Sequence, residues 1–187
     1  MRSVLAVHRI VATARRHVGV AAALTLAGAL LGYVLGGRVP TSAGAQSAPT
    51  VTVSASAVFV NNAIAAGLLV AGGVLLGVPT AVALVQNGVL VGSLAAAASA
   101  DGHPAVFVAL LAPHAVFELP ALWLAAAAGF RVPATFLAYL RHRRERPMSM
   151  RDVRDVVVLA ASATALLAAA ALVEAYVSVP LARALTA

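Results

Sequence analysis

The sequence predicts an all-α integral membrane protein with about five transmembrane helices, one of them kinked or broken by proline, flanked by interfacial amphipathic segments. Three observations carry this. Of 187 residues, 62% are hydrophobic and only 10% charged, with a mean hydropathy of +0.97. A water-soluble domain is about half apolar and about a quarter charged. The apolar residues fall into blocks of ~20, enough to cross a hydrocarbon core of ~30 Å at ~1.5 Å per residue. All thirteen basic residues are arginines, and most lie in two blocks flanking apolar segments, the usual form of a topology signal.

That distribution also settles the meaning of the +7 net charge. No basic face interleaved with aromatics is present, so nucleic acid is not the expected partner; the lipid bilayer is. Cysteine is absent, which excludes a disulfide framework, a thiolate zinc site and a cysteine nucleophile.

Residues 1–17 hold Arg2, Arg9, Arg15 and Arg16 among Val4, Leu5, Ile10 and Val11, a pattern for a short amphipathic helix on the membrane surface. Residues 18–36 are the first span. Arg15-Arg16, the apolar run and the small residues that follow also resemble a cleavable export signal. The run is long for a signal core, and Gly36, Gly37 and Arg38 come after it, so a retained span is expected. Residues 38–56 form a Pro/Ser/Thr-rich loop. Residues 57–78 and 80–100 are the second and third spans, with the turn at Pro79, and 100–104 is a tight polar turn.

Residues 105–129 are the fourth apolar block, interrupted by Pro113 and Pro120. One kinked or broken crossing is expected here. A re-entrant pair of half-helices is the rival, but it would put the second arginine block outside. Residues 131–155 combine an apolar cluster (Phe136, Leu137, Tyr139, Leu140) with dense arginine, and read as an interfacial segment plus a polar loop. Ser149 with Asp152 has the spacing of a capping-box variant. Residues 156–178 are the last span, ending at Pro180. The whole chain is one membrane domain. With the N terminus inside, arginines divide eleven inside to two outside. The expected state is therefore a multi-pass protein of the cell membrane with a cytoplasmic N terminus and an external C terminus.

Small residues mark helix contacts. Gly73 and Gly77 form one GxxxG pair and Gly88 and Gly92 another; Gly129 closes the fourth block. Such pairs let backbones approach closely, inside a bundle or between subunits. A homodimer or a membrane hetero-complex is the expected association.

Polar groups inside the spans carry the functional question. Asn61 and Asn62 open the second span, Asn87 lies in the third, His114 and Glu118 in the fourth, and Glu174 in the fifth. A carboxylate at membrane depth needs a partner, a proton or a polar cavity. His114 and Glu118, four residues apart, share a face if the helix is continuous. A helix starting near Pro113 would instead aim free amides inward. Two readings stay open: a polar cluster lining a site or pathway, or interhelical bonds that fix packing. HAVFE is not HExxH and no second histidine shares the apolar region, so no metal and no cofactor is expected. No GxSxG or phosphate-binding glycine loop occurs, and no catalytic residues are assigned.

Several motifs in order resemble the stage II sporulation protein M family. They are Asn61-Asn62, the glycine-rich stretch 67–77, Asn87-Gly88 with Gly92, the stretch LLAPHAVFELPALWLAAAAGF at 110–130, and VEAYVSVP at 173–180. Pro113, His114, Glu118, Pro120, Ala121 and Gly129 match its central signature, and Glu174, Ala175 and Pro180 its C-terminal one. Ala115 stands where the family usually has glycine. The resemblance runs from about 57 to 181. It implies a polytopic membrane protein without enzymatic activity of its own. In endospore formers such a protein acts as a scaffold, holding peptidoglycan-degrading partners that drive septal thinning and engulfment. The family also occurs in organisms that make no spores, and the lysine-free, alanine- and arginine-rich composition does not resemble a low-GC spore former. The function expected is therefore a scaffold or assembly component of an envelope-remodelling complex. The alternative is a transporter or channel-like protein using the cluster around His114 and Glu118.

Overall fold

The computed structural model of the chain describes residues 2–36 and 54–186. The loop expected at 38–56 lies almost entirely outside them. Six α-helices follow in order: α1 Arg2–Gly36, α2 Ala55–Ala71, α3 Val78–Ala100, α4 Pro104–Leu140, α5 Met150–Val173 and α6 Val179–Thr186. A 3-10 turn (Gly72–Leu75) ends α2, and a π turn (Glu174–Ser178) joins α5 to α6. The described residues include no strand. Five segments are long and apolar enough to cross a membrane: Thr13–Gly36, Ala55–Leu75, Val78–Ala100, Pro104–Leu140 and Met150–Leu185. The protein is an all-α, multi-pass membrane protein.

The pattern of burial is that of a bundle in lipid. Leu26, Leu30, Leu68, Val74, Leu90 and Val116 are exposed, as they would be against acyl chains. The interior is built from small side chains. Ala121, Ala125, Ala126, Ala127 and Ala128 expose nothing, so this part of α4 is enclosed on all sides. A helix without a polar face belongs at the centre, and α4 packs against α1, α2, α3, α5 and α6.

α4 is continuous through Pro113, Pro120 and Pro133. A helix does not start at Pro113, and no free amides are aimed inward there; the helix starts at Pro104, nine residues earlier. Proline removes one ladder bond and frees the carbonyl four residues back. Within a membrane, neighbouring helices can supply what the ladder has lost. Pro133 shows how. The carbonyl it frees is that of Gly129, and a Cβ on Gly73 would collide with that same oxygen. Only glycine lets the backbone of the 3-10 turn come so near. The stretch expected to be interfacial, 131–155, is therefore divided: α4 continues to Leu140, and the polar turn is confined to 141–149.

The α2–α3 turn falls slightly earlier than Pro79. Leu76 (φ 58°) and Gly77 (φ 76°) are left-handed, and Pro79 sits in the first turn of α3, where a missing N–H costs nothing. Gly77 is thus the hinge of a turn, while Gly73 makes the helix contact. Thr80 ties the turn down: its buried Oγ1 donates to the Leu69 carbonyl at 2.8 Å.

α1 and α3 run parallel and interlock. A Cβ at Gly28 or Gly32 would strike the Val85 or Val89 carbonyl, and one at Gly36 would press on Ser93. From the other side, a Cβ at Gly88 or Gly92 would strike the Thr25 or Ala29 carbonyl. The near face of the Gly88–Gly92 pair is occupied by α1 of the same chain. The capping box at the start of α5 is formed, with Ser149 Oγ accepting from the Asp152 amide and the Asp152 carboxylate accepting from the Ser149 amide.

Candidate functional site

Helix register brings the expected polar residues to one level of the bundle. α4 and α5 run antiparallel, with His114 facing Ser178. Four residues along each helix, Glu118 and Glu174 are therefore level. α2 and α4 run parallel, with Gly129 set between Leu69 and Gly73. The same climb from those contacts brings Glu118 level with the turn holding Asn61 and Asn62. Trp123 Nε1 donates to Thr25 Oγ1 at 3.3 Å, and Gly28 abuts Val85. Those two contacts carry the Glu118 level across α1 to Asn87 on α3. To within about one helical turn, all six residues share a layer ~20 Å along α4 from Arg131.

Within that layer only some groups touch. His114 is buried; its Nδ1 lies 3.2 Å from Ser178 Oγ and its Nε2 lies 3.4 Å from Glu118 Oε2. A neutral ring protonated on Nε2 suits both neighbours, since Nδ1 then accepts from the serine hydroxyl. Asn61 and Asn62 bond to each other at 3.3 Å in an exposed position. Among the described residues, no hydrogen bond joins Asn61, Asn62 or Asn87 to His114 or Glu118.

Ser178 is the residue sequence reasoning missed. It has no exposed surface, and it is the last residue of the π turn. A π turn inserts one extra residue into the helix and shifts the face that follows. It stands just before Pro180, whose missing N–H already loosens the ladder. The helix then continues to Thr186 rather than ending at Pro180. Serine is unremarkable in an alanine-rich helix, so composition gave no warning.

The order serine–histidine–carboxylate matches that of a hydrolytic relay. Its chemistry does not follow, because a nucleophile must meet a substrate and the Ser178 side chain is wholly enclosed. Hollows of about 230 Å³ and about 260 Å³ lie elsewhere, beside the α2–α3 turn and between α2 and α5. Among the described residues no three histidine or carboxylate side chains gather as a metal site would require.

A second polar group marks one end of the bundle. Arg131 on α4 is paired with Asp155 on α5, and Arg144 with Asp152 at 2.9 Å. Eight residues along each helix from the Trp123–Thr25 contact, His17 on antiparallel α1 is level with Arg131. The two arginine blocks thus lie at the same end.

Residues 21–179 match the family model of stage II sporulation protein M. The chain belongs to the stage II sporulation protein M family. A protein of Methanocaldococcus jannaschii, described only as uncharacterized, is 30% identical over 131 residues, covering 70% of this chain and 74% of the relative. No solved structure matches the chain. In this SpoIIM-family chain the signature residues coincide with contact points. His114 and Glu118 meet each other, Gly129 receives Gly73, and Glu174 opens the π turn.

Proposed function

We propose that the protein is a scaffold or assembly component of a complex that remodels the membrane or cell envelope. The observation that supports this reading is the closure of the interior. Ala121 and Ala125 to Ala128 of α4 expose nothing, α1 and α3 are interlocked at backbone distance, and His114 is turned onto Ser178 and Glu118. Such a body suits holding partners better than opening to a solute, because alternating access needs elements that part. Both arginine blocks at one end favour that end as cytoplasmic, which puts the C terminus outside.

A transport reading has one observation in its favour, the level of polar residues that includes Glu118 and Glu174. The experiment that separates the readings is extraction from native membranes in mild detergent followed by native mass spectrometry. A scaffold emerges in fixed stoichiometry with a second copy or with a membrane or envelope protein. A chain that emerges alone, and gives proton or cation flux in liposomes that Glu118→Gln abolishes, contradicts the proposal.

A further inference from the structure

The arginine-rich end of the bundle carries a feature that its ion pairs do not use. Beside the α2–α3 turn lies an open hollow of about 230 Å³. Val74 and Leu76 border it from the turn, Val132 and Phe136 from α4, and Pro147 and Met148 from the α4–α5 connection. Its lining is apolar, and Val74, Leu76 and Phe136 are exposed at its edge.

The connection that borders the hollow is strongly basic. Arg141, Arg143 and Arg146 are exposed. Arg144 is taken by Asp152, and Arg131 by Asp155. The side chains of Arg141, Arg143 and Arg146 make no hydrogen bond or ion pair among the described residues. Glu145 is the single acid on this stretch. Arg146 directly precedes Pro147, so a surplus of positive charge borders an apolar pocket at its polar rim. Phe136 lines the hollow, and Leu137, Tyr139 and Leu140 are exposed beyond it at the end of α4, as aromatic and apolar side chains are at a lipid interface.

We propose that this end binds an anionic phospholipid. One acyl chain enters the hollow between the α2–α3 turn and α4. The phosphate is met by Arg143 and Arg146, whose planar guanidinium groups suit bidentate contact with phosphate oxygens. Basic pockets beside membrane helices recognise anionic headgroups in this way. The pairing of an apolar hollow with unpaired arginines selects an amphiphile. A nucleic acid would leave the hollow empty, and an uncharged lipid would leave the arginines unmatched.

The test uses the full chain in mild detergent. Its melting temperature is followed as phosphatidylglycerol, phosphatidylcholine with the same chains, or glycerol phosphate is added. Phosphatidylglycerol is expected to raise the midpoint well above the other two, and its advantage to shrink between about 0.05 and about 0.5 M salt, as screening shortens the range of charge. The double variant Arg143→Gln/Arg146→Gln is expected to melt like the parent without lipid and to lose the advantage. Three results overturn the proposal: equal shifts with phosphatidylcholine, an equal shift with glycerol phosphate alone, or an undiminished phosphatidylglycerol shift in the variant. Should the variant not fold, the lipid comparison and the salt series on the parent decide the matter alone.

Discussion

Ser178 Oγ stands 3.2 Å from Nδ1 of His114, tying the π turn of the last span to the first third of α4. The contact is interhelical and buried, with Ser178 wholly enclosed, and is made at a point where two helices each carry a proline nearby. Ser178→Ala leaves Nδ1 facing a methyl group. Interhelical hydrogen bonds in membranes contribute about 0.6 kcal/mol on average and up to about 1.7 kcal/mol. Ser178→Ala is expected to cost about 1 kcal/mol in reversible unfolding. A double-mutant cycle with His114→Ala should return most of that cost as coupling between the two sites.

The glycine seam gives a comparison with a built-in control. A Cβ at Gly92 meets the Ala29 carbonyl, which is backbone and cannot rotate away, whereas a Cβ at Gly67 meets nothing within 4 Å. Gly92→Ala is expected to destabilise by about 1–3 kcal/mol through overpacking. Gly67→Ala should be neutral or stabilising, since glycine disfavours helix by up to ~1 kcal/mol relative to alanine. Unfolding in a denaturing detergent series reads both, and a Gly92→Ala protein as stable as Gly67→Ala would refute the seam.

The Arg131–Asp155 pair predicts asymmetry between single and double changes. Both side chains are mostly buried, 17% and 10% exposed. Removing one partner leaves the other charged and unmatched, at a cost of about 3–5 kcal/mol for a buried pair. Asp155→Leu is expected to cost roughly 3 kcal/mol, and Arg131→Met/Asp155→Leu much less than either single change. Equal stability in singles and double would show that solvent already screens the pair.

These contacts also show which parts of the fold were legible in advance. Spans followed from apolar length, and the shared end of Arg16 and Arg131 from the clustering of arginine. The Ser149–Asp152 capping box followed from spacing alone, because a cap is a local arrangement. A single crossing by α4 was expected, but whether its helix would be kinked or broken was not legible. Pro113 and Pro120 argue locally for a break, while the packing that lets the helix run through comes from five other helices. The spacing of Gly28, Gly32 and Gly36 is visible in the sequence, yet nothing in it says that α3 is what they meet. The six polar residues could be listed but not placed, since their common level depends on which helices run parallel. Ser178 was hidden because a π turn shifts the helix face without changing composition.

The most direct test of the central claim, that the buried polar chain holds the bundle together, is the melting temperature of His114→Ala in detergent. The substitution removes the contacts to Ser178 and Glu118 together. Each kcal/mol is worth roughly 2–4 °C in a domain of this size. A fall of several degrees is expected. A His114→Ala protein that melts with the parent would contradict it.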